Sequence, residues 1–193
     1  YGFNLAIQSG HYLMAGYILF AKITGYVTFG ASMDKIYQYS KKNRTYLREV
    51  KAGTVLYSLD ISEKMVEFFQ TIYNWEQPFV NNFDLDYALL NHIKARSDGM
   101  VVFWYHSVRM KCAYFYSDLD AVYEQSIQAR KLAFTSRGFI IYHEYSFYYL
   151  LMMLSLVNKV NFFKKFLFWI EIFVRKNSLK KLSLSCPGNF AAK

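Results

Sequence analysis

Apolar residues recur at intervals of three and four along most of the chain, and the pattern is clearest between Gly99 and Gly138. Val101, Trp104, Val108, Cys112 and Phe115 fall on one face of a 3.6-residue helix, with His106, Arg109 and Lys111 off that stripe. A turn at Tyr116-Ser117 separates this helix from a second one, whose inward stripe is Leu119, Val122, Tyr123, Ser126, Ala129 and Ala133. Ser117 is placed to cap the second helix, with Asp120 three residues on as in a capping box. Asp118 and Asp120 suit the positive end of the helix dipole, and Arg130 and Lys131 the negative end. Small residues in the second stripe let the two helices approach closely. Gly138, free to take the left-handed conformation, is the expected stop.

Two other stretches repeat this plan more loosely. His11 to Phe29 carries Leu13, Tyr17, Phe20, Thr24 and Val27 on one stripe and ends at Gly30. Ser32 then caps a helix with Asp34 in its first turn and Ile36, Tyr39, Asn43, Tyr46 and Val50 at helical spacing. Towards the end, Ile140 to Val157 and Val160 to Leu182 form a further pair turning at Asn158-Lys159. Phe162, Phe166, Ile170 and Phe173 share a face of its second helix, and Glu171 lies four residues before Arg175. Cys186-Pro187-Gly188 closes that helix. Linking helices are expected over 55–71 and 83–95, with a loop over 74–82 around Pro78.

The pattern therefore predicts an all-α fold of stacked antiparallel helical hairpins, a tetratricopeptide-like (TPR-like) α-solenoid. Its units span about 11–51, 99–137 and 138–182, and residues 1–193 make one array. Unit length is close to the roughly 34 residues of a tetratricopeptide repeat or a little longer. Trp104, the turn before Asp118, and Ala129 stand where that repeat wants them, whereas Val122 replaces its small alanine and no proline closes the second helix. A start without Met, and Asn189 offering a cap with almost no helix to follow, read as a slice of a longer protein.

Composition narrows the function classes. Apolar residues make up 54% of the chain and aromatics 20%, too many for a disordered segment. Cys112 and Cys186 are too few for a disulfide framework, and a reducing cytoplasm is the simplest setting. The formal charge of +9 raises nucleic-acid binding as the alternative reading. Its clusters, such as Lys41-Lys42-Arg44 and Lys164-Lys165, are better explained as solvated helix faces and helix C-termini. Phe147 to Val157 and Phe166 to Val174 are strongly apolar but fall short of the roughly 20 residues a membrane-spanning helix needs, so no span is expected.

No stretch carries a recognisable reaction. His11, His92, His106 and His143 form no zinc-binding spacing, and His106 and Cys112 do not share a helical face. Phosphate-binding glycine loops, kinase signatures and a nucleophile elbow are missing from the sequence. Asp84-Asp86 and Asp118-Asp120 are accounted for as helix starts. No catalytic, cofactor-binding or metal residue is assigned, and no cofactor is expected. The aromatic run Tyr142 to Tyr149 is too dense to face a single core, so part of it is expected to line a docking surface. Trp104, Tyr142, His143, Tyr145 and Tyr149 are the candidate partner-binding residues.

Several motifs in order resemble a known family. Val102-Phe103-Trp104-Tyr105 with Arg109 and Lys111, the turn Tyr116-Ser117-Asp118, Glu144 to Tyr148, and Cys186-Pro187-Gly188-Asn189-Phe190 are similar to the helical region of very large multidomain bacterial signalling proteins. His11 to Tyr17 extends the resemblance upstream. In that family a serine/threonine-kinase-like domain and an AAA-type ATPase module precede the helical array, and a GAF domain and a sensor histidine kinase often follow it. The resemblance implies a non-enzymatic regulatory connector that binds a protein partner, or neighbouring domains of its own chain, and relays a bound signal.

Overall fold

A computed structural model of the 193-residue chain describes residues 2–71, 90–91, 95 and 99–185. These residues form α-helices with no β-strand among them, as the periodicity predicts. The helices are α1 (Gly2–Gln8), α2 (Tyr12–Thr28), α3 (Met33–Glu49), α4 (Gly53–Thr71), α5 (Gly99–Phe115), α6 (Leu119–Leu132), α7 (Ile140–Leu156) and α8 (Phe162–Ser185). The expected loop over 74–82 and the Cys186-Pro187-Gly188 stop lie outside the described residues, as does most of the expected helix over 83–95.

Local chemistry sets most of the boundaries. Gly30 takes φ +69°, and Ala31 N–H returns to the Tyr26 carbonyl at 2.9 Å, closing α2 where the sequence predicted. Ser32 caps α3, its hydroxyl accepting from the Lys35 N–H at 3.3 Å. Two boundaries differ from expectation. Ser117 is not a cap: it sits at φ +61° and finishes α5, with Asp118 N–H reaching the Ala113 carbonyl at 3.1 Å. A residue committed to the left-handed region cannot also open the next helix, so Asp118 caps α6, accepting from Ala121 N–H at 2.9 Å. Gly138 is not left-handed either. α6 tightens into a 3-10 turn over Ala133–Ser136 and stops there, with Thr135 Oγ1 donating to the Leu132 carbonyl at 2.7 Å.

The core gathers around α5, which packs on α4, α6, α7 and the 3-10 turn. Val101, Trp104, Val108 and Cys112 are buried as the stripe requires, but Phe103, Tyr105, His106 and Ser107 are buried too. One amphipathic face was expected; the surrounding helices enclose the helix nearly all round. α6 faces it with Val122, Ser126 and Ala129, while Tyr123, placed in the same stripe by periodicity, is exposed. α3 and α4 pack together, and the Arg44 guanidinium spans them to Asp60 at 2.6 Å and Glu63 at 2.7 Å. Within α2 the stripe divides: Phe20, Thr24 and Val27 are buried, whereas Leu13 and Tyr17 remain exposed.

α2 also packs against α7. Phe20 meets Phe139 edge to face with centroids 6.1 Å apart, and Thr28 Oγ1 donates to the Glu144 carboxylate at 3.0 Å. The first and third predicted units are therefore in direct contact. α8 lies at the opposite extreme from α5, packing principally on α7 and burying Ile172.

Candidate interaction surface

The sequence nominated Trp104, Tyr142, His143, Tyr145 and Tyr149, and the fold separates them. Trp104 is fully buried in α5, edge to face with Phe20 at 5.7 Å between centroids, and its indole N–H has no hydrogen-bond acceptor. Tyr145 is fully buried as well, stacked edge-on to Phe103, with its hydroxyl donating to the Ser126 carbonyl at 3.4 Å. Burial holds its phenol well above the ordinary tyrosine range. Tyr149 is buried beneath α8, its ring 4.2 Å from the Arg175 guanidinium. These three residues are sealed inside the fold and present no surface to a partner. Tyr142 and His143 are part-exposed, at the lip of a cleft of about 310 Å³ between α7 and α8 that Arg130, Ser146, Glu171 and Arg175 also line.

Polar chemistry in this region fastens helices together. Lys111 Nζ lies 2.6 Å from Glu144 Oε1, donates to the Val27 carbonyl at 3.3 Å, and sits 5.7 Å from the Tyr148 ring centroid. Thr28 occupies the other Glu144 oxygen. With side-chain exposures of 13% and 12%, the pair forms a nearly buried tie among α2, α5 and α7. The Glu171 carboxylate of α8 takes Arg130 of α6 at 2.8 Å and Arg175 at 3.9 Å. Arg175 Nη1 donates to Ser146 Oγ at 3.2 Å. His106 Nδ1 lies 2.8 Å from Gln125 Oε1 inside the α5–α6 hairpin, so its ring links the two helices. Burial keeps the Cys112 thiol protonated, well above its usual range.

A larger groove of about 820 Å³ runs between the end of α2, α7 and the second half of α8. The Lys111–Glu144 pair lies at its base, with Phe29, Phe147 and Leu179 on its walls and Lys176 and Lys180 on its α8 side. His143 faces both this groove and the smaller cleft. Desolvation lowers its pKa, so the imidazole is neutral near pH 7.

The apolar stripe that periodicity marks on the last helix forms the outer side of α8. Phe162, Phe166, Ile170 and Phe173 do share a face, but that face points away from α7. Phe162 is 87% exposed and Phe173 66%. Phe163, Leu167, Trp169 and Val174 extend the same exposed band. No helix among the described residues is long and apolar enough to cross a membrane.

The chain matches no protein-family model, no curated protein sequence and no solved structure.

Proposed function

We propose that this chain is a non-enzymatic, TPR-like helical scaffold that binds a protein partner or a neighbouring domain of its own chain. The single observation that carries the reading is the continuous apolar band on the outside of α8. Monomeric proteins rarely leave patches beyond a few hundred Å² bare unless something docks there. The TPR-like description is supported by the tight α5–α6 hairpin, closed by a three-residue turn and lined by Val122, Ser126 and Ala129. Packing of α2 on α7 brings the first unit onto the third, a closed variant of a stack whose units otherwise touch only their neighbours.

In this reading the scaffold is a cytoplasmic connector in a multidomain signal-transduction protein with ATPase and kinase modules, as the motif order resembles. Inward packing of Trp104, Tyr145 and Tyr149 gives a rigid platform, and α8 is the element that meets the partner. Nucleic-acid binding fits less well. Arg44 is committed to Asp60 and Glu63, and the basic residues of α3 and α8 sit on helices with different packing neighbours.

The test places a photo-crosslinking residue at Phe166 in the protein as expressed in its own cells. The expected product is a crosslink to an identified segment of the same chain or of a signalling protein encoded beside it. Crosslinks to RNA, DNA or phospholipid alone overturn the reading.

A further inference from the structure

The outer side of α8 has a register as well as a composition. Phe163, Ile170 and Asn177 are spaced by sevens, as are Phe166, Phe173 and Lys180 between them. That is the a and d spacing of a helix seam, with Leu167 and Val174 beside it. All of the apolar seam members are exposed. Aromatic side chains carry ~150–250 Å² each, so the exposed fractions along this band leave on the order of 800 Å² bare, about what one partner contributes to a standard protein–protein interface.

Charge selects among occupants. α8 carries Lys164, Lys165, Arg175, Lys176, Lys180 and Lys181 against one carboxylate, Glu171. Glu171 is turned inward to Arg130, so the exposed side of α8 presents cations and apolar groups but no anion. A second copy docking here would set lysines against lysines. An anionic bilayer would satisfy the charge, but it imposes no register and gives no reason for an asparagine in line with Phe163 and Ile170. In a helix seam, a polar residue at that position fixes alignment at a cost in stability.

We infer that α8 is one strand of a helix–helix seam whose partner is an amphipathic helix with apolar a and d positions and acidic flanks. This rests on the proposed scaffold reading and names the partner's chemistry. The partner lies along α8 from Phe162 to Lys181, its carboxylates over Lys176 and Lys181, which flank the seam, much as α7 covers the opposite side.

Two labelled probes of about three heptads test it against the intact chain. Both carry Leu at a and d with one central Asn. One has Glu at the flanking positions and the other Lys. The Glu probe is expected to bind at least about ten-fold tighter, with a blue shift of Trp169 emission and a loss of preference in high salt. Phe166→Lys and Phe173→Lys should each weaken it about ten-fold or more. Phe134→Lys, at an exposed aromatic on the 3-10 turn, should not. The substituted positions are solvent-exposed, so circular dichroism is expected to stay unchanged.

Equal affinity for the two probes overturns the inference, as does equal sensitivity to Phe134→Lys. So does binding to equimolar phosphatidylcholine–phosphatidylserine vesicles in place of the probe, or self-association abolished by Phe166→Lys. If both probes fail while Phe166 crosslinks to an identified protein segment, the scaffold reading stands and only the partner's chemistry is wrong.

Discussion

Replacing Glu144 by Leu should destabilise the protein more than replacing Glu144 and Lys111 together. In the native structure the Lys111 ammonium has Glu144 at 2.6 Å, the Val27 carbonyl at 3.3 Å and the Tyr148 ring at 5.7 Å, with 13% of its side chain exposed. Removing the carboxylate leaves a nearly buried cation held by one carbonyl and a ring face, and strands the Thr28 hydroxyl that had donated to Glu144. Breaking a buried pair on one side costs ~3–5 kcal/mol. The groove above the pair admits some water, which puts the cost of Glu144→Leu near the lower end, about 3 kcal/mol. Replacing both members by apolar groups of similar volume removes the charge along with its partner, and about 1 kcal/mol or less should remain. Removing Lys111 as well should thus recover roughly 2 kcal/mol, and the coupling of the full cycle, which also subtracts the loss of the Lys111 single variant, should be at least that large. Urea unfolding of the four proteins of the cycle measures it: the midpoint shifts, while the slope should stay constant. Single losses that simply add in the double variant would show that the pair is an incidental surface contact, and would remove the electrostatic tie among α2, α5 and α7.

Other outcomes follow from the same structure. Asp118→Ala should cost about 1 kcal/mol through loss of the α6 cap, whereas Ser117→Gly should be neutral or slightly stabilising because Ser117 already occupies the left-handed region; urea midpoints separate the two. Cys112 should resist thiol reagents in the native state and react only as the protein unfolds, so labelling should follow global opening across a urea series. His143 has its pKa lowered by desolvation, so between the unfolded value of about 6.5 and the lower native value the unfolded chain binds more protons. Stability should therefore fall as pH drops through that window, with no penalty above it, and His143→Gln should flatten this part of the profile. Arg175→Lys keeps the charge but gives up the planar stack 4.2 Å from Tyr149, and should loosen α8 from α7 by about 1 kcal/mol, read as faster amide exchange in α8.

Much of the local structure was legible in the residues themselves. Gly30 and Ser32 punctuate α2 and α3 because a residue free of Cβ and a short hydroxyl side chain have local work that distant neighbours do not alter. The Ser117–Asp118 boundary was less readable. Both residues make good caps, and the choice turned on which one took the left-handed conformation that finishes α5. Similarly, α6 was expected to run to Gly138, but a 3-10 turn against α5 ended it earlier.

The candidate surface was legible as a pattern but not as a place. The 3.6-residue period of α5 identified one face needing cover, and packing by α4, α6, α7 and the 3-10 turn supplied cover on nearly every side, drawing in His106 and Ser107. The same kind of stripe on α8 received no cover at all, while Tyr145 and Tyr149, chosen as contacts for a partner, were sealed beneath it. The sequence alone determined that the chain is helical, where several helices start and stop, and which residues on each are apolar, because those properties arise within a turn or two of backbone. Which apolar face meets which neighbour, and which is left for something else, depends on contacts between residues far apart in the chain. That was decided only when α2 closed onto α7 and left α8 outermost.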